Sequence, residues 1–243
     1  KTLIASAEMK RAILRSEKLG VKSCPPQIMW ADMQKRMRHL VEKDFFAARR
    51  SMIQNSGLKT VKGAARFVDA HTVQVGTKKY TAPKIMIATG SSTFVPPIPG
   101  LAETGYITSD DALYLSRLPK SIIVIGSGYI GMELGSLFHT VGVNVTIIGR
   151  SDRVLDRLDT DISKELERLS IADGMRIINS ANTMSVKKTH GKKEVKVLVK
   201  GKPLRVRADE IFVATGRTPH TATLGLENTG VTLERSAVRV NQY

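Results

Sequence analysis

The chain has 243 residues, 42% of them apolar, and carries a formal charge of +16. That length supports one large or two modest domains with real cores, and no apolar run reaches the ~18 residues of a membrane-crossing helix. The single cysteine, Cys24, excludes an internal disulfide and a cysteine-rich metal site, so no metal is expected.

Lys1 to Leu19 reads as an amphipathic helix, with Leu3, Ile4, Ala7, Ile13 and Leu14 near helical spacing. Gly20 to Pro26 is a loop, in which Cys24 reads as a loop thiol rather than a nucleophile. Trp30 to Asn55 reads as a long helix with a stripe of Met33, Met37, Leu40, Val41, Phe45, Ala48 and Met52 for core packing, capped by Gly57. Short strands are expected at Lys59 to Lys62, Ala65 to Asp69, Thr72 to Val75 and Lys79 to Ala82. Lys84 to Ser91 reads as a buried strand ending in a small-residue turn, and Val95 to Gly100 as an extended linker.

A short helix over Asp110 to Leu118 leads to a buried strand, Ile122 to Ile125, followed by a helix over Met132 to Val141 and a strand over Val143 to Ile148. A helix at Asp161 to Ile171 and a strand at Met175 to Ile178 come next. A hairpin over Thr183 to Val199 turns at His190-Gly191-Lys192, and the strand Glu210 to Val213 runs into Ala214-Thr215-Gly216-Arg217.

Between the first of these strands and its helix lies Gly126-Ser127-Gly128-Tyr129-Ile130-Gly131, a G-x-G-x-x-G. Gly126 allows the tight turn, Gly128 lets backbone approach a pyrophosphate, and Gly131 lets the helix lie close on the strand. The helix start offers free N–H groups and a positive dipole end to phosphate. A glycine-rich turn in an ordinary α/β domain is the plain alternative. The flanking strand, helix and second strand fall in βαβ register and favour a dinucleotide site.

The second strand ends in Gly149-Arg150-Ser151, where an NAD site usually carries Asp or Glu for the ribose 2′-OH. Without that carboxylate nothing repels a 2′-phosphate, and Arg150 can hold it through charge-assisted bonds of roughly 1.5–3 kcal/mol each. This favours NADPH over NADH, with Asp152 next door weakening the case and a solvated loop cation as the alternative. Two apolar strands, Ile85 to Gly90 and Ile211 to Gly216, end alike in Ala-Thr-Gly on either side of the βαβ unit. The charge of +16 raises a nucleic-acid reading, but the cations are scattered and only 5% of residues are aromatic. A base-stacking platform is therefore poorly supplied, and nucleic acid is disfavoured.

Together these motifs resemble the flavoprotein pyridine nucleotide-disulfide oxidoreductases, a family that includes dihydrolipoyl dehydrogenase, mercuric reductase, glutathione reductase and mycothione reductase. The resemblance covers essentially the whole chain. It implies an α/β fold of Rossmann-like FAD- and NAD(P)-binding domains with the FAD domain incomplete. The implied parts are a partial FAD-binding domain over 1–108, an NAD(P)-binding domain over 109–231 and a return segment over 232–243.

Residue by residue, Lys1 resembles the lysine beside the flavin and Glu133 the glutamate that pairs with it. Tyr129 resembles the lid over the nicotinamide pocket. These three are the implied catalytic residues, with the alternatives that Glu133 is only a helix-N-terminal acid and Tyr129 only packing. Gly63, Ala64 and Ala65 resemble the segment meeting the FAD adenine, and Thr89, Gly90 and Ser91 the FAD-side Ala-Thr-Gly. Gly216 and Arg217 resemble its partner near the second nucleotide, and Gly149-Arg150-Ser151 the NADPH-type strand end. The other implied cofactor contacts are Gly126, Ser127, Gly128, Ile130 and Gly131.

The implied activity is hydride transfer from NAD(P)H to FAD and then to a redox dithiol, acting on a disulfide or a metal ion. The implied parent is a homodimer of the cytoplasm or an organelle matrix, with a role in redox homeostasis. The opening Lys1-Thr2-Leu3 reads as an internal cut, with the family's cysteine pair, first G-x-G-x-x-G, later Gly-Asp motif and dimerisation domain outside the chain. Alone, the chain is expected to be inactive. A mercuric reductase, a dithiol-lacking NAD(P)H oxidase or flavin reductase, and a non-catalytic nucleotide- or nucleic-acid-binding module remain as alternatives.

Overall fold

The computed structural model describes residues 1–242. The chain begins with helix α1 (Thr2–Arg15), which tightens into a 3-10 turn, Ser16–Leu19. Helices α2 (Trp30–Arg38) and α3 (Phe46–Asn55) are joined by a π-helical stretch, His39–Phe45. Strands β1 (Ala65–Asp69), β2 (Thr72–Val75), β3 (Lys78–Thr81) and β4 (Ser91–Thr93) follow, then two single turns, α4 (Leu101–Thr104) and α5 (Ser109–Ala112). Next come β5 (Ser121–Ile125), α6 (Tyr129–Val141), β6 (Asn144–Ile148), α7 (Thr160–Ala172) and β7 (Arg176–Ile178). The remaining strands are β8 (Ala181–Thr189), β9 (Lys192–Val199), β10 (Lys202–Ala208), β11 (Glu210–Val213), β12 (Arg217–Pro219), β13 (Leu233–Glu234) and β14 (Ala237–Val238).

By its internal contacts the chain forms two units. The first joins Lys1–Ala47 to Val95–Gly216, and the second joins Ala48–Phe94 to residues 217–242.

In the first unit four parallel strands lie in the order β11-β5-β6-β7. The unbroken apolar run of β5 follows from burial on both faces of the sheet. Ile122 and Val124 enter one core with Leu3, Ala7, Trp30, Met33 and Phe138 of α1, α2 and α6. Ile123 and Ile125 enter the other, with Val186, Val195, Val197 and Val206 of the antiparallel sheet β8-β9-β10. Each such side chain contributes about 1.5–3 kcal/mol on burial. The turns of that antiparallel sheet, His190-Gly191 and Lys200-Gly201, both place two consecutive residues at positive φ. Two-residue hairpin turns of the primed kind need this.

In the second unit β1-β2-β3 form an antiparallel sheet, and β4 pairs with β12 and β13 with β14. Phe67, Leu224 and Leu226 make its core, with Val73, Ile85 and Ile87 against them.

Several expectations are corrected. Lys59 to Lys62 forms no strand; Val61 is exposed and the segment has no ladder partner. Lys84 to Ala88 forms no strand either, and Met86 is 89% exposed. Ile85 and Ile87 reach the small core, but a central strand also needs hydrogen-bonding neighbours on both edges, and the described residues supply none. The long-helix stripe packs at Met33 and Met37 and, half-buried, at Val41, while Leu40, Phe45, Ala48 and Met52 are exposed. An apolar stripe marks a face able to be buried, and no residue of α3 meets a surface that buries it. The helix expected over Asp110 to Leu118 ends at Ala112, because Gln34 Nε2 and Trp30 Nε1 donate to the carbonyls of Leu113 and Leu115 at 2.7 and 2.8 Å. Strand β10 was not expected, since its alternation lies hidden among Lys202, Pro203, Arg205 and Arg207.

Candidate dinucleotide-binding site

The chain leaves β5 for α6 and returns as β6 on one side, while β11 pairs with β5 on the other. The carboxyl end of β5 is therefore a switch point of the parallel sheet, where open α/β folds hold their ligands. Gly126 turns the chain there with φ +116, and a Cβ on it would lie 2.2 Å from the Ala214 carbonyl oxygen at the end of β11. A Cβ on Gly131 would lie 2.0 Å from the Gly126 oxygen, so α6 rests directly on the turn. A Cβ on Gly128 would meet nothing within 4 Å. The motif's two outer glycines are thus filled against backbone, and its middle one faces open space.

Helix α6 starts at Tyr129, three residues earlier than the periodicity predicts. Its N-cap is Gly128, no side chain caps it, and its first turn holds no acid. Its first N–H groups and positive dipole end are left for an anion. Tyr129 is 59% exposed beside this turn, Ile130 is half-buried, and Glu133 is exposed one turn on. Ser127 is buried, with its hydroxyl 2.5 Å from the place a Gly149 Cβ would take, and its carbonyl accepts the Leu155 N–H at 2.9 Å. Gly216, with φ +134, follows β11 and has open space at its Cβ position.

At the tip of β6, Arg150 is exposed and forms no ion pair or hydrogen bond with the described residues. Ser151 is half-buried and donates its hydroxyl to the Asp156 carboxylate at 2.5 Å. The local sequence places Asp152 next to the strand end, and the structure brings a second acid there. A carboxylate five residues further on folds back onto Ser151. Asp152 is drawn to Arg153 Nη1 at 3.2 Å.

Helix α1 packs on α6, and Lys1 is its exposed N-cap residue. Among the described residues no ion pair within 4.0 Å joins Lys1 to Glu133. The two helices are tied by Arg11, whose Nη2 donates to Thr140 Oγ1 at 2.8 Å and Ser136 Oγ at 3.3 Å and lies 3.5 Å from the Asp173 carboxylate.

The other expected residues lie in the second unit. Gly63, Ala64 and Ala65 are exposed at the start of β1. Thr89 Oγ1 donates to the His220 carbonyl at 2.9 Å, and the His220 N–H donates to the Gly90 carbonyl at 3.0 Å. Arg217 Nε donates to Ser91 Oγ at 2.7 Å. Arg217, expected near the second nucleotide, turns two of its donor nitrogens, Nε and Nη2, to Ser91 in the β4–β12 pair. Sequence reasoning missed Asp156, Leu155 and His220, all of which act through contacts across loops. Among the described residues no group of three or more His, Cys, Asp or Glu is placed to hold a metal, and no helix is long and apolar enough to cross a membrane.

A parallel sheet with an uncapped glycine-rich helix start at its switch point defines a Rossmann-type fold. The chain belongs to the pyridine nucleotide-disulphide oxidoreductase family, whose sequence model matches residues 2–243. It is 34% identical to a mercuric reductase of Bacillus cereus over 244 residues, covering 100% of this chain and 39% of that protein. It is 38% identical to a glutathione reductase of Nostoc sp., covering 79% of this chain and 41% of that protein. A dihydrolipoyl dehydrogenase of Acholeplasma laidlawii is 30% identical, with 100% and 72% covered. Among solved structures, the HOCl-induced flavoprotein disulfide reductase RclA from Escherichia coli matches with a TM-score of 0.79 at 27% identity, over 99% of this chain and 51% of that one. The chain thus spans well under half of the first two relatives. The family's oxidoreductases use FAD and NAD(P)H.

Proposed function

We propose that this chain is the nicotinamide-dinucleotide-binding part, with part of the flavin side, of a FAD-dependent NAD(P)H:disulfide oxidoreductase that prefers NADPH. The observation that carries the reading is the open backbone at Gly128 between two glycines whose positions admit no side chain. That cradle fits a pyrophosphate, and Arg150, without an ion-pair partner among the described residues, suits a 2′-phosphate.

Bound together, nicotinamide and flavin supply the two-electron chemistry, and the protein orients and tunes them. The Gly126–Gly131 turn binds the pyrophosphate through N–H groups. Tyr129 covers the nicotinamide end and keeps water out. Lys1 and Glu133, both exposed and not paired with each other, would hold charge beside a bound flavin ring. Thr89 to Ser91 and Gly63 to Ala65 serve the flavin side, and Gly216 and Arg217 its counterpart. The functional division we propose is 1–108 for FAD, 109–231 for NAD(P) and 232–243 for the return, of which Tyr243 lies outside the described residues. It differs from the packing division because α1 and α2 pack on the nucleotide-binding unit. A homodimer of the cytoplasm or an organelle matrix, acting on a disulfide or a metal ion, completes the reading.

The test is anaerobic titration of the whole protein carrying this chain, isolated from its source. Bleaching of a flavin absorbance by NADPH, at lower concentration than by NADH, supports the reading. Isolation without flavin, or indifference to both nucleotides, overturns it.

A further inference from the structure

We infer that Asp156 is a specificity-determining residue for the dinucleotide. Its carboxylate, held against Ser151 at the end of β6, weakens binding of the 2′-phosphorylated form and keeps the preference for NADPH over NADH small. This rests on the dinucleotide reading above and adds a residue to it.

The geometry is local and fixed. Ser151 Oγ donates its one proton to Asp156 Oδ2 at 2.5 Å, so that hydroxyl has no proton left to give a phosphate. The loop is pinned on both sides of Asp156. Before it, Leu155 is buried at φ +47, a conformation side-chain-bearing residues rarely adopt, with its N–H on the Ser127 carbonyl. Val154 is fully buried, and its carbonyl accepts from the buried Ser163 hydroxyl. Behind it, Arg153 Nη2 donates to the Asp156 carbonyl at 2.9 Å, and the Leu158 N–H donates to the Leu155 carbonyl at 2.8 Å. The carboxylate therefore stays beside Ser151.

Among the described residues Arg150 at the strand end has no ion-pair partner, Asp152 is paired with Arg153, and Asp156 adds an acid where an NAD site carries its acid directly on the strand. Arg150 attracts a 2′-phosphate and Asp156 repels it. A ribose 2′-OH instead meets an acceptor. The Leu155–Ser127 bond joins this loop to the phosphate-binding turn, so the two halves of the site are one braced piece.

The experiment measures Kd for NADP⁺ and NAD⁺ on this chain by calorimetry, with wild type beside Asp156→Asn and Asp156→Ala. Circular dichroism checks that each is folded. Asp156→Asn keeps an acceptor for Ser151 and so holds the loop. Asp156→Ala frees the Ser151 proton. Both variants are expected to tighten NADP⁺ by about tenfold while NAD⁺ stays the same or weakens. A ratio of the two constants unchanged in both variants, or both affinities moving together, overturns the role of Asp156 and leaves the dinucleotide reading standing. Failure of the wild type to bind either nucleotide overturns both.

Discussion

A Cβ on Gly131 would sit 2.0 Å from the carbonyl oxygen of Gly126, closer than any real side chain comes to backbone. These two glycines set the distance between helix α6 and strand β5. Gly128 lies between them with ordinary φ, −78°, and open space beyond its Cα. Their roles separate by experiment. Gly131→Ala is expected to destabilise the fold by about 1–3 kcal/mol through overpacking. Gly128→Ala should change unfolding by no more than about 0.5 kcal/mol. Urea melts of the two variants decide it, and equal losses would refute the division.

Among the described residues Arg150 has no ion-pair or hydrogen-bond partner at the tip of β6. Arg150→Glu should weaken NADPH binding by at least about tenfold and leave NADH within about twofold. Fluorescence titration with both nucleotides measures this. Equal affinities in the wild type would sink the preference for NADPH.

Glu194 lies on β9 opposite Arg207 and Lys187, with its side chain only 2% exposed. The Arg207 guanidinium, bonded at 2.6 Å, holds its carboxyl below the ordinary value of 4.5, helped by the charges of Lys187 and Arg205 and opposed by burial. A carboxyl depressed in the folded state contributes stability that is fully present above its unfolded value and lost as the pH falls through its folded one. Wild type should therefore be more stable than Glu194→Gln at neutral pH, with the gap closing as the pH drops below 4.5. Urea midpoints across that range check it, and a gap independent of pH would contradict it.

Arg11 ties α1 to Thr140 and Ser136 of α6 and to Asp173 behind α7. Its side chain is 34% exposed, so the ion pair adds little, and the hydrogen bonds carry most of the effect. Arg11→Met keeps the apolar stem and should cost about 1–2 kcal/mol in a denaturant melt. A neutral result would mean apolar packing alone fixes the two helices.

Much of the first unit was legible because its signals are local. The β5 run, three spaced glycines and the β6 run sit next to one another, and each has one physical purpose. Strands β1 and β2 fall where turn residues predict them, and β11 where an apolar run ending in Ala-Thr-Gly does. What was not legible depends on partners distant in sequence. The apolar run at Lys84 to Ala88 has the composition of a buried strand but no neighbours to pair with. Met52 and Phe45 continue a stripe that meets no covering surface. At the site, the spacing from Ser151 to Asp156 has no period that announces a contact, because the loop's positive-φ residue is a leucine rather than a glycine.

The most direct measurement is calorimetric titration of NADPH into this chain, wild type beside Gly128→Val, with inorganic pyrophosphate as competitor. One saturable site, displaced by pyrophosphate and lost when a side chain fills the space over Gly128, is the outcome expected. Absence of saturable binding, or binding that Gly128→Val leaves untouched, would contradict a dinucleotide seated on the start of α6.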